Sequence, residues 1–155
     1  MNTIARFGLA VIFAAGLVAS MALPSYADGG QQCSLARAAG KWTVSDNGTV
    51  IGVGPRTAVG ILTLDASGNV LNGLAWSSLN GTAASETFSG TYTVSSDCTG
   101  TLSVNIYQSG VLAFTLTLFD SFDDSMREMR GVFTSVTEPN GTVLPTVIYL
   151  EAHKQ

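Results

Sequence analysis

Arg127, Glu128 and Arg130 crowd into one short stretch, and that density of charge is the first place to look for chemistry. If the stretch is a strand, side chains alternate across it: Glu128 and Arg130 share one face and Arg127 takes the other. An inward Arg or Glu would anchor a ligand, because a buried charge must find a partner. Glu86, Tyr107 and Tyr149 complete the candidate ligand-binding set, with Tyr92 as a further lining aromatic. The competing arrangement is an outward ion pair, worth under about 1 kcal/mol.

Other constellations are thinner. His153 is the only histidine, and without a second one or a free thiol pair no zinc site is expected. No G-x-S-x-G elbow marks a serine nucleophile, so no catalytic residue and no cofactor is assigned. Asp120, Asp123 and Asp124 are close enough to hold Ca²⁺, but they miss the spacing and the turn glycine of an EF-hand. They are expected to form an acidic, solvated hairpin loop. Asn47, Asn80 and Asn140 each begin an Asn-Gly-Thr triplet, which hairpin chemistry explains without glycans.

The N-terminus has the plan of a secretory signal: Arg6, an apolar run from Phe7 to Leu23, then Pro24 and a small-x-small site at Ser25-Tyr26-Ala27. A signal peptide over 1–27 is therefore expected, with a secreted or periplasmic product and no transmembrane segment after its removal. Arg6 is the one cation of that leader, which leaves six Lys/Arg against eleven Asp/Glu, a net charge of −5. That balance speaks against nucleic acid and against anionic membranes as partners. Cys33 and Cys98 are the only cysteines, and in an oxidising compartment an even count implies a bond between them. That bond would tether an N-terminal segment, 28–39, to the domain formed by 40–155.

Past residue 40 hydrophobicity alternates with a period of two, and turn signals recur every eight to fourteen residues. Strands are expected at about 40–46, 57–65, 69–79, 83–95, 100–108, 110–120, 125–137 and 142–152, with residues 48–56 as a loop over one end. Asn-Gly pairs at 47–48, 72–73, 80–81 and 140–141 are expected hairpin turns. Trp42 and Trp76 read as core aromatics. The fold class is all-β: an eight-stranded antiparallel up-and-down meander closed into a barrel, with no major helix. Closure removes exposed edges and leaves an interior that is filled or holds one small ligand.

Gly40-Lys41-Trp42, at the head of the first strand, resembles the G-x-W signature of lipocalins, whose Trp plugs the closed end of the barrel. The strand pattern looks equally like barrels of the allene oxide cyclase type. The lipocalin resemblance implies an Arg packed across the Trp, for which Arg127 and Arg130 are the candidates. It also implies a pocket for a small hydrophobic or amphipathic molecule. A surface-interaction protein with a packed interior is the alternative from another class. A barrel isomerase or cyclase is a third, and would need polar groups converging inside. An outer-membrane barrel is a fourth, disfavoured by short connections at both ends. Oligomeric state stays open.

Overall fold

The computed structural model describes residues 33–155. The leader expected over 1–27, and residues 28–32 of the tethered segment, lie outside the described residues. The strands in chain order are β1 (Gly40–Val50), β2 (Gly54–Leu64), β3 (Asn69–Leu79), β4 (Thr82–Val94), β5 (Thr99–Gln108), β6 (Val111–Phe122), β7 (Glu128–Thr137), β8 (Val143–Leu144) and β9 (Thr146–Lys154). Antiparallel ladders join each of β1 to β7 to its successor, β7 pairs with both β8 and β9, and β9 pairs back to β1. β8 and β9 are one stave interrupted at Pro145, which has no N–H to give a ladder. The fold is the expected all-β, closed, eight-stranded up-and-down barrel. Among the described residues the one helix is α1 (Leu35–Ala38), a single turn capped by Ser34, whose hydroxyl accepts from the Arg37 N–H.

Alternation decides what lies inside. Leu102, Val104 and Ile106 of β5 are buried, as are Leu116 and Leu118 of β6; on β7 Phe133 and Val136 are both buried because a bulge between them shifts the phase by one residue. The outward positions of β4 and β5 are largely hydroxyl and amide side chains, Thr87, Ser89, Thr91, Thr101, Ser103 and Asn105 among them.

One end is sealed. Trp42 is fully buried there, its Nε1–H donating to the Ala38 carbonyl at 2.8 Å, and Phe122 packs edge-on to it with ring centroids 6.2 Å apart. The Cys33–Cys98 disulfide is present and ties the segment before α1 to the turn between β4 and β5. Arg127 and Arg130, the residues expected to cross Trp42, are both exposed, and the ring packed against Trp42 is that of Phe122.

Several expectations shift for definite reasons. Residues 48–56 are mostly strand, and only 51–53 turn. Gly48 is there because β9 runs too close for a side chain: a Cβ would lie 2.0 Å from the Val147 carbonyl oxygen. Of the Asn-Gly pairs, 80–81 makes the tight turn, with φ of 49° and 83°, and 140–141 sits in the turn after β7. Asn47-Gly48 and Asn72-Gly73 lie inside β1 and β3 instead. At the second the ladder slips by a bulge, and the Phe88 ring fills the space over Gly73. Trp76 is not a core residue: it is 63% exposed, on the outer face of β3 opposite Val59. The acidic cluster is split, for Asp120 is an inward residue of β6, 2% exposed, while Asp123 caps the turn before β7 by accepting from the N–H groups of Ser125, Arg127 and Glu128.

Candidate functional site

The far end of the barrel is bounded by the turns at 51–53, 80–81, 109–110 and 138–142. Ile51, Val53, Val111 and Val143 stand exposed around it. Just inside lies a chamber of ≈ 90 Å³ walled by Val50, Leu79, Phe114, Val136 and Leu144, with Arg56 and Glu138 as its charged members. A second chamber of ≈ 50 Å³ lies deeper, among Phe88, Val104, Leu118 and Phe133, and it too touches Arg56. Arg56 is thus common to both.

Arg56 reaches the interior from β2 and meets Glu86 of β4 across the strand between them. Leu79 of β3 stands opposite Arg56 and Ala75 opposite Glu86, and the inward residues on the Glu86 side, Ala75 and Ser77, are both buried and both small. Arg56 Nη1 and Nη2 donate to Glu86 Oε1 and Oε2, each at 3.2 Å, a two-pronged fit that a planar guanidinium makes well. Ser77 Oγ and Gln108 Nε2 also donate to Oε1, at 2.7 and 3.2 Å. On the other side Arg56 Nη2 donates to Asp46 Oδ2 at 3.3 Å. Its Nε and Asp46 Oδ1 face each other at 3.2 Å but off line, so neither has an aligned hydrogen bond.

The electrostatics follow from burial and partners. Burial alone would push the Glu86 carboxyl up, but the hydrogen bonds and charge of Arg56, helped by Ser77 and Gln108, hold it below its ordinary value. Asp46 goes the other way: desolvation outweighs its attraction to Arg56, and the nearby Glu86 charge adds to the rise. Burial works against the Arg56 cation too, yet its bonds to Glu86 and the two carboxylate charges raise it and keep it charged.

No protein-family model matches this chain, and no curated protein does. Two solved structures are similar to it, a redesigned β-barrel and the redesigned β-barrel mFAP1 bound to DFHBI, each 14% identical with a TM-score of 0.49. The first likeness covers 79% of this chain and 95% of that one, the second 79% and 98%. It is the closed round of ladders, rather than that likeness, that makes this chain a barrel.

Of the six residues expected to line a ligand site, only Glu86 points inward. Glu128 and Arg130 share the outer face of β7, where Arg130 Nη2 lies 3.7 Å from Glu128 Oε2 and its Nε 4.0 Å from Glu151. Arg127 is exposed in the turn before β7. Tyr149 is on the outer face of β9, its hydroxyl donating to Glu151 Oε1 at 3.3 Å. Tyr107 is half-buried beside a shallow outer depression with Leu74 and Thr87. The correction is one of parity. The buried Met129 takes the inward place between Glu128 and Arg130, so both charges must face out.

Two interior residues, Asp46 and Arg56, have no place in the expected set. Arg56 falls in the expected loop 48–56, and Asp46 is the last residue of the expected first strand, where alternation carries little weight. The signal was present: Arg56, Ala58, Leu62 and Leu64 keep step, as do Trp42, Val44 and Asp46. Extending both strands by a few residues brings both charges inside.

Proposed function

We propose that this protein is an exported, lipocalin-like barrel that takes a small amphipathic molecule at its open end. The apolar part would sit among Val50, Leu79, Phe114, Val136 and Leu144, and the polar part would face Arg56, Asp46 and Glu86. The observation that carries this reading is the position of Arg56, a buried charge at the floor of an apolar chamber. Ligand sites combine apolar walls with a few placed polar groups in this way. The Trp42 plug at the opposite end, at Gly40-Lys41-Trp42, favours the lipocalin side of the resemblance. The Cys33–Cys98 bond is compatible with an extracellular or periplasmic compartment.

Size limits the ligand. Chambers of ≈ 90 and ≈ 50 Å³ are far below the roughly 300–1,000 Å³ of drug-sized sites. A short-chain molecule fits, with its tail emerging past Ile51 and Val53. Native mass spectrometry of the exported protein, with short-chain amphiphile titrations, tests this reading. Uptake that is lost when Val136→Trp fills the chamber is the expected result. No uptake by the wild-type protein would refute it.

The same small volumes favour a second reading, a surface-interaction protein with a packed interior. Val59, Ile61, Leu71, Leu74 and Trp76 form an exposed apolar group on β2 and β3, with Val59 opposite Trp76 and Ile61 opposite Leu74. In that case substitutions at Trp76, not at Val136, would change behaviour. The isomerase or cyclase reading is weaker, because Glu86 is saturated by four hydrogen bonds and has little basicity left to offer.

A further inference from the structure

We infer that the interior site selects a cationic head group, a protonated amine, over a carboxylate or an alcohol of the same chain length. This rests on the small-molecule reading above and adds the charge of the ligand to it.

The charge census of the two chambers is one-sided. Asp46, Glu86 and Glu138 contribute carboxylates to their walls, and Arg56 is the one guanidinium among the described lining residues. Arg56 is already engaged: its fork is turned onto Glu86 at 3.2 Å twice and onto Asp46 at 3.3 Å. An incoming carboxylate would compete with two resident carboxylates for one cation and add a further negative charge to a desolvated space, where like charges are costly. What the site has to spare is an acceptor. Asp46 lines the deeper chamber, and its buried Oδ1, though 3.2 Å from Arg56 Nε, accepts no aligned hydrogen bond and so keeps room for a donor. Glu86 does not compete for the ligand, because its oxygens already accept from Arg56, Ser77 and Gln108.

An ammonium group is the complement of that arrangement. It carries three N–H donors and no acceptor, so one donor satisfies Asp46 Oδ1 and its charge balances the second carboxylate. Burying a cation is costly unless it is paired, and here the pair is built in. Glu138, half-buried in the wall of the outer chamber, extends the negative potential toward the entrance. An alcohol offers a single donor and no charge, and water would do as well.

The test is an NMR titration of the protein, residues 28–155 with the disulfide intact, using hexylammonium, hexanoate and hexan-1-ol as probes. Hexylammonium should bind tighter than either of the others by about tenfold or more, with shifts centred on Asp46, Arg56 and Leu79. Asp46→Asn should abolish most of that preference. Glu138→Gln lies at the entrance and leaves the interior intact, and should reduce it about two- to threefold. Equal or tighter binding of hexanoate or hexan-1-ol by the wild-type protein overturns the inference while leaving a ligand-binding barrel standing. So does an Asp46→Asn variant that keeps the preference. If none of the three probes binds, the small-molecule reading itself fails. The wild-type comparison decides the matter even if Asp46→Asn does not fold.

Discussion

Arg56 and Glu86 belong to strands that are not neighbours, and they meet over Ala75 and Ser77 of the strand between, joined by two hydrogen bonds of 3.2 Å. Small inward residues on β3 are what let this pair form. A larger side chain at Ala75 would occupy the space their hydrogen bonds now cross.

Breaking the pair on one side should be far worse than removing both members. Arg56→Met leaves Glu86 and Asp46 buried without their cation, at a cost of about 3–5 kcal/mol. The double variant Arg56→Met with Glu86→Gln should recover a good part of that. Urea unfolding of the three proteins measures it. A single-variant cost below about 1 kcal/mol would mean that water reaches the cluster.

Stability should fall as pH rises through the weakly acidic range because of Asp120. Burial pushes its carboxyl from 3.8 up to about 7, and its Oδ1 has no hydrogen-bond partner. Between those values the unfolded chain has released a proton that the folded chain still holds. The stability tied to that proton is therefore fully present below about pH 4 and lost as pH climbs through about 7, by at most about 1.4 kcal/mol per unit. Asp120→Asn should remove this slope. Thermal midpoints of both proteins between about pH 4 and about pH 8 should diverge with rising pH, the Asn variant gaining. Parallel curves would contradict the assignment. Glu86, held below its ordinary value, acts in the opposite sense in both proteins and cancels in the comparison.

The two tryptophans should behave as opposites. Trp76→Ser, at a position 63% exposed, should change stability by about 0.5 kcal/mol or less. Trp42→Ala empties a fully buried site and removes the hydrogen bond to Ala38, at about 3–5 kcal/mol. Acrylamide should quench the fluorescence of a Trp42→Phe variant strongly and that of a Trp76→Phe variant weakly. Equal quenching would place one indole on the wrong face.

Reduction of Cys33–Cys98 releases a 65-residue separation and should lower stability by about 4 kcal/mol in the chain-entropy account. Urea midpoints with and without reductant give the value. A loss under about 1 kcal/mol would show that α1 and the Trp42 plug hold the closed end without the bond.

What was legible in the sequence was whatever local periodicity encodes. Alternation along β5 and β6, the turn at Asn80-Gly81 and the parity of two cysteines are properties of short stretches, and they led to eight strands, a closed barrel and one disulfide. The burial of Trp42 was expected as well, from the resemblance of Gly40-Lys41-Trp42 to the G-x-W signature and not from periodicity. Phase was not. A strand's period of two leaves open which set of side chains faces in, and one misplaced strand end, at Arg56, hid the central charge of the interior. Only closure of the barrel, with Met129 packed inward on β7, sent Glu128 and Arg130 outside and brought Asp46, Arg56 and Glu86 together from three different strands. Side chains that lie far apart along the chain meet only when the ladders fix their register, and no short window of residues carries that information.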